Sequence, residues 1–267
     1  MIEIEWILSF LLLGSIVGFT AGLLGVGGGG IMVPVLAFIF LQQGIHIHTV
    51  MHLALGTSMA SIIVTSISSL RTHQKFKAIN WTIVRLMSIG VIIGTFSATF
   101  LASHLSSIYL AIFFTVFMGY ISLKMLFKKQ TNTVIDDINN SSLLISSTGI
   151  GAVSALVSIG GGSLTVPYLM SKNIDIKNAI GTSAALGLPI SVAGTIGFLI
   201  NGWNSDISYE QSLGFIYLPA VLLISTTSFL TAPYGAKLAQ HLPVIILKQI
   251  FAILLISLSL KMLLSII

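Results

Sequence analysis

The sequence predicts an all-helical integral membrane protein made of two inverted repeats, each a glycine-broken re-entrant or tight helical hairpin followed by three transmembrane helices. Its composition, a duplicated glycine-rich segment and the distribution of its charges lead to this prediction. Of the 267 residues, 55% are hydrophobic and only 7% are charged, whereas soluble domains carry about 25% charged residues. Such a chain cannot cover a water-facing surface, so we expect a lipid bilayer around it.

Composition also excludes several classes of function. The chain has no cysteine, which excludes disulfides, thiolate metal sites and cysteine nucleophiles. Its net charge of +5 is explained by positively charged cytoplasmic loops, so we expect no nucleic-acid partner. No Asp or Glu lies within a predicted span, which excludes a carboxylate proton relay. No motif predicts a cofactor, and a homo-oligomer is compatible with the sequence.

A glycine-rich break interrupts an apolar helix once in each half of the chain. The sequence GFTAGLLGVGGGGIMVP at 18–34 is answered by GAVSALVSIGGGSLTVP at 151–167, at a constant offset of 133 residues. Glycine costs about 1 kcal/mol in a helix interior and proline belongs in a first turn, so each copy predicts a helix that stops and restarts. Membranes tolerate such a break only beside protein or a water-filled cavity, and a repeated break marks a transporter's binding site.

Apolar spans follow the breaks in the same order in both halves, and full spans are recognised by their length of roughly 17 to 25 residues. The first repeat, 1–127, contains a broken pair and three full spans, at 7–24, 31–41, 50–70, 81–101 and 108–127. A polar cytoplasmic linker occupies 128–142. The second repeat, 143–267, contains the corresponding elements at 143–158, 164–170, 179–200, 213–230 and 244–266.

Three further pairs of matching segments support the duplication. ALGTS at 54–58 answers to AIGTS at 179–183, LASHL at 101–105 to LAQHL at 238–242, and LKML at 123–126 to LKML at 260–263. Four-residue spacing of glycines at Gly14, Gly18 and Gly22, and again at Gly90 and Gly94, predicts close helix packing and not ligand contacts.

Charge predicts the orientation of the two halves. The positive-inside rule places the basic connection 71–77 in the cytoplasm. If each broken hairpin returns to the side from which it entered, Asp206 and Glu210 lie outside, and eleven of the twelve Lys and Arg residues lie inside, with Lys261 the exception. The N- and C-termini are then both outside the plasma membrane. Full crossing by the broken hairpins stays open but fits the rule less well.

The breaks predict an anion site. A helix that restarts after glycines has unpaired first N–H groups and about +0.5 charge at its start, which suits a small anion without a buried Lys or Arg. Hydroxyl groups nearby can donate further hydrogen bonds or can bond to their own helix. The candidate substrate-binding residues are Gly27, Gly28, Gly29, Gly30, Thr57, Ser58, Gly160, Gly161, Gly162, Ser163, Thr165, Thr182 and Ser183.

Histidines near the ends of the first full span offer weaker alternatives. His48 and His52 are four residues apart and follow His46, so a metal site is conceivable. We favour a boundary loop whose histidines are solvated or tune anion access, and we predict no metal ligand. Arg71 and His73 are interpreted as topology determinants, with gating of an anion path as the alternative.

Together these residues resemble the TauE/SafE sulfite exporter family, also called the 4-toluene sulfonate uptake permease group. The resemblance covers nearly the whole chain: the two breaks ending at Pro34 and Pro167, both Gly-Thr-Ser segments, the basic connection followed by Ile-Asn-Trp at 79–81, and GAKLAQHLP at 235–243. It implies a plasma-membrane permease for sulfite, sulfonates, thiosulfate or related small organic anions, without fixing the substrate or the direction.

The predicted function is therefore secondary transport of a small anion, such as sulfite or a related organosulfur oxyanion, by alternating access. An anion channel stays open as an alternative. An intramembrane serine hydrolase using Ser58 or Ser183 with a histidine is disfavoured, because both serines recur in the duplication while His52 does not. We predict no catalytic residues and no enzyme activity.

Overall fold

The computed structural model describes residues 3–25, 27–127, 140–203 and 211–243, with isolated positions beyond 244. Over these ranges the chain is helical apart from one short β-hairpin. The helices are α1 Ile4–Leu24, α2 Gly29–Gln42, α3 Val50–Lys75, α4 Trp81–His104, α5 Ser107–Phe127, α6 Asn140–Val157, α7 Gly162–Ser171, α8 Ile176–Trp203 and α9 Leu218–His241. The hairpin pairs β1 Ser212–Leu213 with β2 Ile216–Tyr217 in antiparallel register.

Helix length separates membrane-spanning helices from half-length ones. In the described part, α1, α3, α4, α8 and α9 are long and apolar enough to cross a membrane. By contrast, α2 has 14 residues and α7 has 10, so at 1.5 Å per residue they reach only ~21 Å and ~15 Å of a hydrocarbon core ~30 Å thick. Each short helix therefore completes only part of a crossing.

Both predicted breaks are confirmed. Helix α1 ends at Leu24, followed by Gly25 in the left-handed conformation with φ of 67°, and α2 begins after Gly28, whose φ is 77°. The second break has the same form, since α7 begins after Gly161, whose φ is 81°. Only glycine adopts these backbone angles without cost, which explains why the two helices end and restart here.

The helices pack in a pattern that relates the two halves. Helices α3 and α8 lie against each other at the centre, and each short helix packs on the long helix that follows it, α2 on α3 and α7 on α8. Helix α1 runs along α9, and α6 runs along α4. The contacts are preserved when the helices of the two halves are exchanged, α1 for α6, α2 for α7, α3 for α8 and α4 for α9. The contact of α4 with α8, for example, then becomes that of α9 with α3.

Small residues allow the two peripheral helix pairs to approach closely, as the four-residue spacing predicted. A Cβ atom on Gly18 would overlap the backbone of Ser228 in α9, and one on Gly22 would overlap the carbonyl oxygen of Ala232. In the other pair, a Cβ on Gly94 would overlap the carbonyl oxygen of Thr148 in α6. Many large apolar side chains of the helices face outward, as lipid contact requires.

One predicted span has the wrong start and end. The sequence predicted a helix at 213–230, but residues 212–217 form the hairpin, which turns at Gly214 with φ of 55°. Helix α9 starts only at Leu218, with Pro219 in its first turn, and continues through Pro233 to His241. Helix α9 does not end at residue 230, because its second half packs on α1.

Several predicted features lie outside the described residues. They are residues 128–139 of the linker, Asp206 and Glu210, Lys248 and Lys261, and most of the last span at 244–266.

Candidate functional site

The two helix breaks contact each other in the protein interior. A Cβ atom on Gly27 would lie 2.8 Å from the Cα atom and 3.0 Å from the backbone nitrogen of Gly160. A Cβ atom on Gly29 would overlap the carbonyl oxygen of Ser158. No side chain fits between these backbones, so the glycines are required for the start of α2 to lie against the segment that leads into α7.

Each short helix begins with backbone groups arranged as in an anion-binding helix start. The carbonyl oxygen of Gly28 accepts hydrogen bonds from the N–H groups of Ile31 and Met32, both at 3.1 Å, and that of Gly161 accepts from Thr165 at 2.7 Å. The N–H groups that precede these in a helix have no partner within it. In this protein those groups belong to the predicted site residues Gly29 and Gly30 in α2 and Gly162 and Ser163 in α7, all buried.

The start of α7 also carries two buried hydroxyl groups without partners. Ser163 is 3% exposed and Thr165 is fully buried, and within the described residues neither hydroxyl oxygen makes a hydrogen bond. The Thr165 Oγ1 atom lies 3.2 Å from the position of a Cβ on Gly161, so it covers the first turn of α7. The positions that correspond in α2 are Gly30 and Met32, which makes the two helix starts unequal.

Thr57 and Thr182 hold the starts of spanning helices. The Oγ1 atom of Thr57 accepts a hydrogen bond from the Tyr217 N–H at 2.9 Å, and that of Thr182 accepts from the Asn80 N–H at 3.0 Å. Tyr217 and Asn80 directly precede α9 and α4. Each threonine therefore attaches a central helix to a helix of the other half.

The glycine before each of these threonines serves the same attachment. A Cβ on Gly56 would overlap the carbonyl oxygen of Phe215, and a Cβ on Gly181 would overlap that of Ala78. Phe215 and Ala78 lie at corresponding places, two residues before Tyr217 and Asn80. The duplicated Gly-Thr-Ser segments are thus explained in part as docking surfaces for backbone.

The serines of the same segments lie on the breaks. The Ser183 hydroxyl donates to the carbonyl oxygen of Gly25 at 3.0 Å. At the second break, the Ser158 hydroxyl donates to the carbonyl oxygen of Leu55 in α3 at 2.9 Å. Ser58, which corresponds to Ser183, is fully buried and its hydroxyl has no partner among the described residues. Ser58 is therefore the third buried hydroxyl near the breaks that remains free to donate.

A narrow cleft, here called the α3 cleft, extends from the breaks along α3. Its lining residues come from α1, both breaks, α3 and α8: Ala21, Gly25, Gly27, Thr65, Ser66, Ser69, Gly160, Ala184 and Gly187. Of the predicted site residues, Gly27 and Gly160 line it. The cleft does not admit a sphere the size of a water molecule. The sequence prediction missed Thr65, Ser66 and Ser69, although the hydroxyl-rich run at 57–72 in an otherwise apolar span was an available signal.

The histidines make structural hydrogen bonds. The Nε2 atom of His52 lies 3.1 Å from the carbonyl oxygen of Ala102, and that of His73 lies 3.1 Å from the carbonyl oxygen of Gly22. The prediction that the loop histidines are solvated fits the exposed His46 and His48 and is wrong for His52, which is 5% exposed. In the described part of the chain, no three His, Asp or Glu side chains are grouped to hold a metal ion.

The arrangement gives no support to a serine hydrolase. Ser58 makes no hydrogen bond within the described residues, and Ser183 donates to a backbone carbonyl. The Nε2 atoms of the buried histidines His52 and His73 likewise face backbone carbonyls, so neither serine has a histidine base.

Comparison with known proteins gives the family. The model of the family described as sulfite exporter TauE/SafE matches residues 10–262. A probable membrane transporter protein of Haemophilus influenzae is 37% identical over 261 residues, which cover 97% of this chain and 99% of the relative. No solved structure matches the chain.

Two further relatives have the same description. Probable membrane transporter proteins of Methanocaldococcus jannaschii and Bacillus subtilis are 27% and 28% identical and cover 90% and 91% of this chain. The family match over 10–262 includes both breaks, the central helices and α9, and each of these relatives is described as a probable membrane transporter protein. This chain is therefore a multi-pass membrane protein that belongs to the TauE/SafE sulfite exporter family.

Proposed function

We propose that the protein is a secondary transporter that moves a small anion, sulfite or a related organosulfur oxyanion, by alternating access. The observation that carries the proposal is the direct contact between the two helix breaks. It brings two helix starts, with their unpaired N–H groups, to one place between the two halves of the chain. The substrate class comes from the family, whose description names sulfite export.

The chemistry around the breaks supports an anion as the ligand. A helix start carries about +0.5 charge, and three buried hydroxyls, those of Ser58, Ser163 and Thr165, lack partners within the described residues. A buried hydroxyl without a partner costs about 1–3 kcal/mol, a cost that an oxyanion accepting from these groups removes. We assign direct binding to these hydroxyls and to the backbone of Gly27–Gly30 and Gly160–Gly162, and positioning to Thr57, Thr182 and Ser183.

The helix packing supports alternating access. Because exchanging the helices of one half for those of the other preserves their contacts, we infer an inverted repeat of 1–127 and 143–267, joined by a cytoplasmic linker at 128–142. The hairpins then enter from opposite faces, and both termini lie outside the plasma membrane. An exchange of conformations between the two halves would open the breaks alternately to either side. The closed α3 cleft requires such a movement before an anion passes.

The test is anion flux in sealed proteoliposomes. Sulfite, thiosulfate, a small sulfonate and a carboxylate are compared under outward and inward gradients. The double variant Ser163→Ala and Thr165→Val removes both hydroxyls with little change in volume, and we expect it to raise the KM for the transported anion by tenfold or more, since a hydrogen bond to a charged group contributes about 1.5–3 kcal/mol. Thr148→Val is the control, because that hydroxyl bonds to its own helix at the carbonyl of Leu144.

Two outcomes contradict the proposal. Equal KM values in the double variant and the control would show that the start of α7 does not bind the anion. Flux that does not saturate with anion concentration, accompanied by electrical conductance, would establish a channel in place of a transporter.

A further inference from the structure

We propose a second anion-binding subsite in the α3 cleft, centred on the hydroxyl of Ser69. The subsite lies on the route between the helix breaks and the C-terminal end of α3. This inference rests on the proposed anion transport, and it adds a place where the anion is held before or after it occupies the breaks.

An unpaired hydroxyl inside the cleft is the first support. Ser69 lines the cleft, is 3% exposed, and makes no hydrogen bond within the described residues. Its neighbours on α3 differ, since the Ser68 hydroxyl donates to the carbonyl of Phe229 and the Thr72 hydroxyl donates to that of Ser68. A buried hydroxyl is usually paired, so the exception at Ser69 points to a ligand.

Helical spacing connects Ser69 to the breaks. Ser58, Thr65 and Ser69 follow one another at intervals of seven and four residues, which places them on one side of α3. The same cleft is lined by Gly25, Gly27 and Gly160 of the breaks. A ligand at Ser69 is therefore about three helical turns from Ser58.

The two-fold-related position on α8 lacks these features. Ser69 corresponds to Gly194, and the side chain of Met59 fills the space there, with its Sδ atom 2.9 Å from the position of a Cβ on Gly194. Met59 itself corresponds to Ala184, whose small side chain lines the α3 cleft. The alanine at the position related to Met59 therefore leaves a narrow cleft beside Ser69, whereas the methionine fills the space beside Gly194.

The lining determines the class of ligand. Its side chains are hydroxyls and small apolar groups with no charge, and a hydroxyl donates one hydrogen bond. Ser66 and Ser69 together suit two oxygens of one small oxyanion. Because the lining carries no positive charge, the anion binds weakly. Weak binding suits a subsite on a transport route, since the anion must also leave.

The absence of cysteine from the sequence permits a direct test. The variant Ser69→Cys in the full chain, in proteoliposomes, carries a single thiol that is titrated with a methanethiosulfonate reagent with and without the transported anion. The reagent reaches the thiol when the cleft opens during transport, and we expect anion at about nine times its Kd to slow the modification by about tenfold, because about one tenth of the sites are then empty. Ser68→Cys is the matched control, because that side chain faces Phe229, and its modification should not respond to the anion.

A second variant examines the cleft itself. Ala184→Met introduces the side chain found at the related position 59 and should close the cleft, so that the thiol of the Ser69→Cys, Ala184→Met double variant is not modified. In addition, Ser69→Ala should raise the KM for flux by about tenfold, equivalent to ~1.4 kcal/mol, without lowering the maximal rate.

The outcomes separate this inference from the proposed function. If wild-type flux saturates but the anion does not protect the thiol of Ser69→Cys, the subsite is wrong and the site at the breaks stands. If the sodium salt of an anion that is not transported protects the thiol equally well, the assignment of the transported anion to the subsite is wrong. If wild-type protein carries no anion, both proposals are overturned.

Discussion

Glycine at a few positions determines whether the two breaks can meet. At Gly29 the constraint is space, because any side chain collides with the carbonyl oxygen of Ser158. At Gly28 and Gly161 the constraint is conformation, because both have φ between 77° and 81°. Space and backbone conformation are different reasons for requiring glycine. In the sequence the two cannot be distinguished, because both kinds of position lie in uninterrupted runs of glycines.

We predict that Gly29→Ala separates the breaks and abolishes saturable flux. Forcing a methyl group into a packed interior costs about 1–3 kcal/mol, so the midpoint of thermal unfolding in detergent should also fall. Gly149→Ala is the control, since a Cβ atom there meets nothing within 4 Å. Equal flux and unfolding midpoints in both variants would show that close contact of the breaks is dispensable.

At the level of residues, positions in the duplicated segments and at the helix starts beside them could be predicted, and those away from them could not. Gly27–Gly29 and Gly160–Gly162 are identified as a special backbone because each run has a copy, whereas Gly30, Ser163 and Thr165 follow from their places at the helix starts. Ser69 has Gly194 as its counterpart, so comparison of the halves gives no sign of it. A serine in an apolar helix commonly bonds to its own backbone, and only the packing of α8 and the breaks around Ser69 distinguishes it from such a case.

Among the elements, the duplicated Gly-Thr pairs attach one half to the other. Thr182 in α8 accepts a hydrogen bond from the backbone N–H that precedes α4, and Thr57 in α3 does the same before α9. Helices α4 and α9 therefore each begin at a fixed point on the central helix of the opposite half. These contacts hold the starts of α4 and α9 against the central helices.

We predict that Thr182→Val lowers the free energy of unfolding by about 1 kcal/mol, the net contribution of one hydrogen bond, and leaves the KM for flux unchanged. Thr182→Ser, which retains the acceptor oxygen, should retain most of the stability. Chemical unfolding in mixed micelles measures the first quantity and proteoliposome flux the second. A KM raised in Thr182→Val but restored in Thr182→Ser would instead place this hydroxyl on the substrate.

Helix positions could be predicted from hydropathy where composition changes sharply, and less well elsewhere. The predicted spans at 50–70 and 81–101 begin where α3 and α4 begin, because polar loops precede them. The prediction fails at α9, whose apolar start belongs to a hairpin and whose second half contains Thr231, Pro233 and Lys237. Packing of that half against Gly18 and Gly22 of α1 compensates for its low hydropathy. The glycine spacing in α1 predicts close packing, but nothing in the sequence of α9 identifies it as the partner.

For the whole molecule, the duplication predicts two similar halves but not how they are joined. The structure pairs α1 with α9 and α6 with α4, so each broken hairpin packs on a helix of the other repeat. A sequence comparison of the halves cannot distinguish this exchange from packing within each repeat, because the small residues that mediate it occur in both. The site prediction depends less on this arrangement, since it requires only that the two breaks converge.

We predict that the loops after α2 and α7 lie on opposite sides of the membrane. Ile47→Cys and Ser171→Cys each place one thiol on an exposed residue of an otherwise cysteine-free chain. A membrane-impermeant thiol reagent added outside intact cells should modify Ile47→Cys, and Ser171→Cys should react only after permeabilisation. Modification of both from outside would mean that the second broken hairpin crosses the membrane fully, and the inverted repeat would be wrong.

The exchange of partners between the halves has a consequence for biosynthesis. Helix α1 is synthesised before α9, yet the surface that covers Gly14, Gly18 and Gly22 belongs to α9. Until then the groove of α1 faces lipid or a chaperone, so insertion of the first half precedes its folding. Pulse-labelled nascent chains should therefore show α1 protected from crosslinking to lipid only after α9 has emerged.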